Sequence, residues 1–205
     1  MKNLFRVIAK KILKRNKKFH NLYSGQTCYL FGNGSSIKHY DLKLFGDKPS
    51  LCCGNLFLHN DFKYLNVVAD IELHPFLNYP FWKNPYYSFE YNRYNAFLRK
   101  SGKYKQKHPV FVSISNYPVL YLDNIYYLYH FGHHNNDLNR MDLSGDFSFM
   151  KGALYSLIGL ALFMGFEKIY LVGMDYLYDI PQIGYFFGYG KSNGDAKDEA
   201  KISHD

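Results

Sequence analysis

The sequence predicts an α/β fold, an open and mainly parallel sheet with helices on both faces. Three observations predict it. Short apolar runs of four to eight residues recur along the chain and end in glycine or polar residues, as strands buried on both faces do. A long apolar helix signal at residues 151–164 is stopped by Gly165 and followed at once by another such run, the second half of a βαβ unit. The first run empties into a glycine-rich turn, Gly32-Asn33-Gly34-Ser35-Ser36, where a parallel sheet would carry a ligand. Together these describe a Rossmann-like arrangement.

Residues 1–24 open the chain as a basic arm. Leu4, Phe5, Ile8, Ile12 and Leu13 recur at three- and four-residue spacing, with Lys2, Arg6, Lys10, Lys14 and Lys17 at other positions. Residues 1–40 hold seven Lys, two Arg and no acid, while the remaining 165 residues carry 16 basic and 17 acidic side chains. The +8 net charge therefore sits at one end of a nearly neutral body. A nucleic-acid-binding domain would spread its charge over a folded face, so no nucleic acid is expected as a partner. The arm, residues 1–20 above all, suits an anionic membrane surface, where each nearby cation contributes about 1 kcal/mol. It equally suits a helix that packs its apolar stripe on the domain.

Residues 25–190 form the predicted domain. The expected strands are Thr27–Phe31, 50–53, 66–73, 110–114 and Lys168–Val172. Residues 75–108 read as an aromatic-rich insertion; Pro75, Pro80 and Pro85 break any long regular element there. Residues 191–205 are a polar tail expected to be mobile. Of the 205 residues 20% are aromatic, chiefly Tyr and Phe, so many rings are expected half in the core with the hydroxyl at a polar site. An aromatic edge of this kind also suits a homo-oligomer interface. Three cysteines, Cys28, Cys52 and Cys53, give no disulfide framework, which with no signal peptide points to a reducing, cytoplasmic setting. No run of 18 apolar residues spans a membrane.

The chemistry is expected at the strand ends. In the glycine-rich turn, Gly32 and Gly34 permit positive φ and close approach, and Ser35 and Ser36 can cap a following helix whose N-terminus favours a phosphate. The spacing is not that of a dinucleotide fingerprint, since Ile37 stands at the third glycine position, and no Walker A lysine follows. A tight turn that holds no ligand is the plain alternative. Asn55 and Asp175 follow the second and last strands, at the same carboxyl edge. Asn33 and Asn55 offer neutral donors and acceptors to a sugar, base or phosphate ester. No second carboxylate stands near Asp175, so metal-independent chemistry is expected, with no metal ligands and no cofactor. His133 and His134 read as a surface loop.

In this order, YLFGNGSSIKHYD, CCGNLF and GFEKIYLVGMDYLY resemble the bacterial sialyltransferases of glycosyltransferase family 42 and the related motility-accessory and DUF115 proteins. The resemblance covers roughly residues 27–74 and 150–204. It implies a metal-independent, inverting transferase on a modified Rossmann-type domain, with a CMP-activated nonulosonic acid as donor and a bacterial surface glycan as acceptor. Asn33, Gly34 and Ser36 would hold the donor's phosphate or sugar, and Asn55 would contact the donor. Leu56 stands where family members have a polar residue.

At the start of the family's long helix the hydroxyls are replaced by Phe149-Met150-Lys151-Gly152, with Lys151 able to face the donor's carboxylate. Tyr176, Tyr178 and Tyr185 are the candidates to hold the leaving phosphate. The family's base is a His a few residues beyond a Ser-His pair; here Ser203-His204 precedes the final Asp205, so either His204 serves or the base lies past the end. The expected setting is peripheral, on the inner face of a bacterial membrane. Two alternatives stand beside this reading: a DUF115-type nucleotide-binding protein or pterin pyrophosphokinase-like enzyme, and a membrane-associated binding protein with a decayed site.

Overall fold

A computed structural model describes residues 2–74, 108–120, 122–129, 141–145, 147 and 152–175. Six strands in these residues make one all-parallel sheet: β1 (Thr27–Phe31), β2 (Pro49–Cys53), β3 (Asn66–Glu72), β4 (Val110–Ser113), β5 (Ile125–Leu128) and β6 (Lys168–Val172). Their order is β5-β4-β3-β2-β1-β6. The chain steps outward from β1 to β5, then returns through a helix to lay β6 on the other side of β1. The strand order reverses between β1 and β6, and in open α/β sheets that is where a crevice opens at the carboxyl ends. The fold is the Rossmann-like α/β sheet that the sequence predicts.

Alternation along the strands feeds two layers. Cys28, Leu30, Leu51, Cys53, Ala69, Ile71 and Phe111 face the helix α2 (Ala153–Phe163), which returns Leu157, Leu160 and Ala161. On the opposite face Val110, Val112, Ile125 and Tyr127 meet Ala9 and Leu13 of the helix α1 (Lys2–Leu13). Beside them Phe31 and Cys52 pack on Ile37, Leu42, Leu56 and Leu65. Each such fully buried aliphatic chain contributes about 1.5–3 kcal/mol. Helices thus cover both faces, but α2 is not wholly buried, since Tyr155 and Leu162 look outward.

α2 ends as its sequence dictates. Gly165 takes φ +87°, its amide donates to the Leu162 carbonyl at 3.0 Å, and the Phe166 amide donates to Ala161 at 3.1 Å. These two bonds form a Schellman motif.

The basic arm is welded to the body. Ala9 and Leu13 are buried and Ile12 partly so, while Val7 and Ile8 stay exposed. Past α1, a 3-10 helix (Lys14–Phe19) buries Asn16, whose Nδ2 donates to the carbonyls of Tyr127 at 2.8 Å and Leu143 at 2.7 Å. Phe19 sets its ring edge-on to Phe111 and Tyr126. The amides of Asn21, Tyr23 and Gly25 then bond the carbonyls of Phe163, Met164 and Gly165. The expected boundary at residue 24 falls inside this packing. Among the described residues, no helix is long and apolar enough to cross a membrane. The aromatic stretch at 75–107, His133, His134 and the tail lie outside them.

Candidate functional site

The glycine-rich turn leaves β1 beside the exit of β6, at the switch point. The Gly32 amide donates to the Val172 carbonyl at 2.8 Å, and the Gly34 amide to Gly173 at 2.9 Å, so the two strand exits are stitched together. Neither Gly32 nor Gly34 has positive φ; Gly34 sits at φ −61°. They are glycines for space. A Cβ on Gly32 would lie 2.3 Å from the Gly173 carbonyl oxygen, and one on Gly34 would lie 2.4 Å from the Asp175 carboxylate. The expectation of left-handed backbone at these two positions is therefore corrected to one of close approach.

That carboxylate occupies the centre of the turn. Asp175, nearly buried, accepts from the Ser36 amide at 2.8 Å, the Ser36 hydroxyl at 2.5 Å and the Ser35 hydroxyl at 3.3 Å. The anion that the turn's donors hold is the protein's own. The helix expected to follow is also different. Ser35–His39 is a five-residue 3-10 helix whose N-cap is Gly34, with no side-chain cap. Ser35 and Ser36 are turned to Asp175 instead of the helix end, and so short a segment carries no helix-dipole phosphate site.

Asn33 reaches sideways to β2. Its Nδ2 donates to the Cys53 carbonyl at 2.9 Å, and its Oδ1 is buried with no hydrogen-bond partner among the described residues. An acceptor left in that state costs about 1–3 kcal/mol. Asn55, also nearly buried, opens a 3-10 helix (Leu56–Leu58) at the carboxyl end of β2. Leu56 is fully buried with Phe31 and Leu42, which explains why an apolar residue stands there.

Gly152 begins α2 with φ +145°, exposed, with open space where a Cβ would be. Lys151, Tyr176, Tyr178, Tyr185 and His204 lie outside the described residues. The structure thus brings together Gly32, Asn33, Gly34, Ser35, Ser36, Asn55 and Asp175.

The same edge continues into polar residues that the sequence reading missed. At the end of β3, Glu72 is 8% exposed, and its Oε1 accepts from the His74 amide at 2.9 Å and pairs with His74 Nδ1. The buried Asn116 donates from Nδ2 to the carbonyls of His74 at 3.2 Å and Ser113 at 3.3 Å. The signal was present: carboxylates inside an apolar strand, NVVADIEL, followed at once by a histidine. The other of those carboxylates, Asp70, is fully buried, and burial, with the Glu72 charge second, pushes its pKa well above the ordinary value against a lowering by the Ile71 backbone amide. Burial likewise raises Cys28 to about 12 and holds Cys52 and Cys53 as thiols. Among the described residues no three His, Cys, Asp or Glu side chains gather to hold a metal ion.

No family model matches the chain, and no curated protein matches it. The solved structure of MAf glycosyltransferase from Magnetospirillum magneticum AMB-1 is similar at 14% identity with a TM-score of 0.49. The similarity covers 82% of this chain and 27% of that one, so the chain spans roughly a quarter of that protein's length.

Proposed function

We propose that this chain is a glycosyltransferase whose carboxyl-edge site takes a CMP-activated nonulosonic acid and transfers the sugar to a bacterial surface glycan. The observation that supports it best is the convergence of Asn33, Asn55 and the turn Gly32–Ser36 at the β1/β6 switch point, together with the unpaired acceptor on Asn33. Neutral amides at the carboxyl edge of such a sheet suit the hydroxyls and phosphate ester of a nucleotide sugar. The sequence resemblance supplies the donor class.

In the proposed transfer an imidazole takes the proton of the acceptor hydroxyl as its oxygen attacks the anomeric carbon. The bond from that carbon to the phosphate oxygen breaks, and its electron pair leaves with CMP. Asn33 and Asn55 hold the donor, while Gly34 and Ser36, whose amides are given to Gly173 and Asp175, shape the turn beside it. Asp175 acts through Ser35 and Ser36 by fixing the turn. The resemblance gives Tyr176, Tyr178 and Tyr185 to the leaving phosphate, Lys151 to the donor carboxylate and His204 as the base. No metal is required in this scheme. The exposed Val7 and Ile8, between Arg6 and Lys10, suit peripheral contact with an anionic leaflet, where lipid-linked acceptors are met.

Calorimetric titration with CMP, in chelator, tests the reading, with ATP–Mg²⁺ as comparator. Metal-independent CMP binding, weakened at least about tenfold by Asn33→Ala, is the expected result, a loss of about 1.4 kcal/mol. Binding of ATP–Mg²⁺ alone would transfer the site to pyrophosphokinase-like chemistry, and binding of neither would leave a decayed site.

A further inference from the structure

We infer that the aromatic cavity on the sheet face away from α2 is a sugar-binding site that takes one neutral pyranose ring. It is separate from the donor edge, and the inference does not depend on the nucleotide-sugar reading.

The cavity follows from the strand register. Tyr29 in the middle of β1 pairs with Tyr170 of β6, and both side chains leave the face opposite Cys28 and Leu30. Among the described residues β6 is the edge of the sheet, and Tyr170 stays 42% exposed. The 3-10 helix Leu42–Phe45 sets Phe45 edge-on to Tyr29, with ring centres 5.1 Å apart, and Tyr40 stands edge-on to Phe45 at 6.1 Å. The fully buried Phe31 backs Phe45 at 5.5 Å, so the core holds this wall in place. Tyr29, Tyr40, Phe45 and Tyr170, with Lys48 and Val172, line a space of about 360 Å³. Sites for small ligands begin at about 300 Å³.

The lining selects the ligand. Half-exposed rings gathered around a hollow mark a binding groove. Aromatic rings attract C–H groups to their electron-rich faces, and one side of a pyranose chair is a surface of such groups. Tyr29 and Tyr170 have ring centres 5.9 Å apart and a tilt of 37°, while Phe45 stands at 81° to Tyr29. Walls at these angles form no parallel slot for a flat base, but they accept a thick, puckered ring. Polar groups meet at the Tyr29 hydroxyl, which donates to Asp47 Oδ1 at 3.1 Å and accepts from Lys48 Nζ at 3.2 Å. An acceptor and a donor side by side suit the vicinal hydroxyls of a sugar. Lys48, the charged residue of the lining, is paired with Asp47, so a neutral ring fits better than an acidic one.

The test is saturation-transfer NMR on the full chain with methyl β-D-glucopyranoside and methyl β-D-galactopyranoside, and adenosine as a flat-ring comparator. At least one glycoside should receive saturation on its ring C–H protons. Its affinity should fall at least about fivefold in Tyr170→Ala and in Tyr40→Ala, as the loss of one aromatic partner does. Tyr170→Phe, which keeps the ring, should stay within about twofold of wild type. Both tyrosines are half exposed, so unchanged melting temperatures should show that the variants are folded. Silence of both glycosides overturns the proposal. In that case Tyr170-dependent adenosine binding would assign the cavity to a flat base, and a wild-type dimer that Tyr170→Ala returns to monomer would assign it to a second copy. CMP titration is read separately: CMP binding without glycoside binding removes this site and leaves the donor reading, and glycoside binding without CMP binding does the reverse.

Discussion

Ser36 gives both its backbone amide and its hydroxyl to the carboxylate of Asp175, 139 residues further along the chain. This contact, with the Ser35 hydroxyl added, locks the exit of β1 to the exit of β6 across the point where the strand order reverses. Removing the acceptor leaves the Ser36 amide and hydroxyl without it in a partly buried turn, at about 1–3 kcal/mol. Asp175→Ala should therefore lower the melting temperature by several degrees. Asp175→Asn, which keeps one acceptor oxygen, should lose less than half as much. Thermal melts of the two variants check the order; equal melting of Asp175→Ala and wild type would show that the carboxylate does not hold the turn.

Gly34 is held to glycine by that same carboxylate. Its φ of −61° suits alanine, but a Cβ would lie 2.4 Å from Asp175. Gly34→Ala should destabilise by about 1–3 kcal/mol, as other insertions into filled space do. Because the harm comes through one neighbour, the double variant with Asp175→Ala should be more stable than the sum of the single losses predicts, by about 1 kcal/mol. Denaturant titrations of the four proteins make the cycle; strict additivity would place the damage elsewhere.

What could be read from the sequence follows the range of the forces involved. β1 and β6 were legible because each is a continuous apolar run closed by glycine, and Gly165 because only it accommodates the φ of +87° that ends α2. β5 was missed. It is only IYYL, and in a chain so rich in tyrosine those rings look like general packing. The segment after β1 reads as a helix start yet forms a 3-10 turn, in which Ile37 is buried against Phe31 and Leu42. The glycine-rich turn was located correctly at the carboxyl edge. Its filling by Asp175 is a contact across 139 residues that no local pattern encodes. The Glu72–His74 pair is local, but the burial of Glu72 is set by the fold.

Asp70 should make the protein less stable as pH rises. Its carboxyl is fully buried, and burial, with the nearby Glu72 charge second, raises its pKa well above the ordinary 3.8 although the Ile71 backbone amide opposes the shift. The native state therefore keeps a proton that the unfolded chain has released. The stabilisation is complete below about pH 4 and is lost as pH climbs toward the native value, at about 1.4 kcal/mol per unit. Asp70→Asn keeps the shape and cannot ionise. Its stability relative to wild type should rise as pH climbs above about 4 in urea titrations; a constant difference would mean that Asp70 is ionised in the native state.

His108 pulls the other way. Packed against Phe62 and largely buried, its imidazole is pushed down to about 4, so it is neutral in the native protein, whereas the unfolded chain protonates near 6.5. Its contribution is present above pH 6.5 and is lost as pH falls toward 4, about 3 kcal/mol over the whole window. Between pH 4 and 6.5 the two residues act with opposite sign and similar slope, so the wild-type stability should be nearly flat across it. His108→Gln should unmask the Asp70 slope, with stability falling as pH rises. Asp70→Asn should unmask the His108 slope, with stability rising. Above pH 6.5 the His108 contribution is complete, so wild type and His108→Gln should run parallel there. Urea midpoints for the three proteins at half-unit steps check the pattern. Parallel curves for all three through the whole range would remove both groups from the pH dependence of folding.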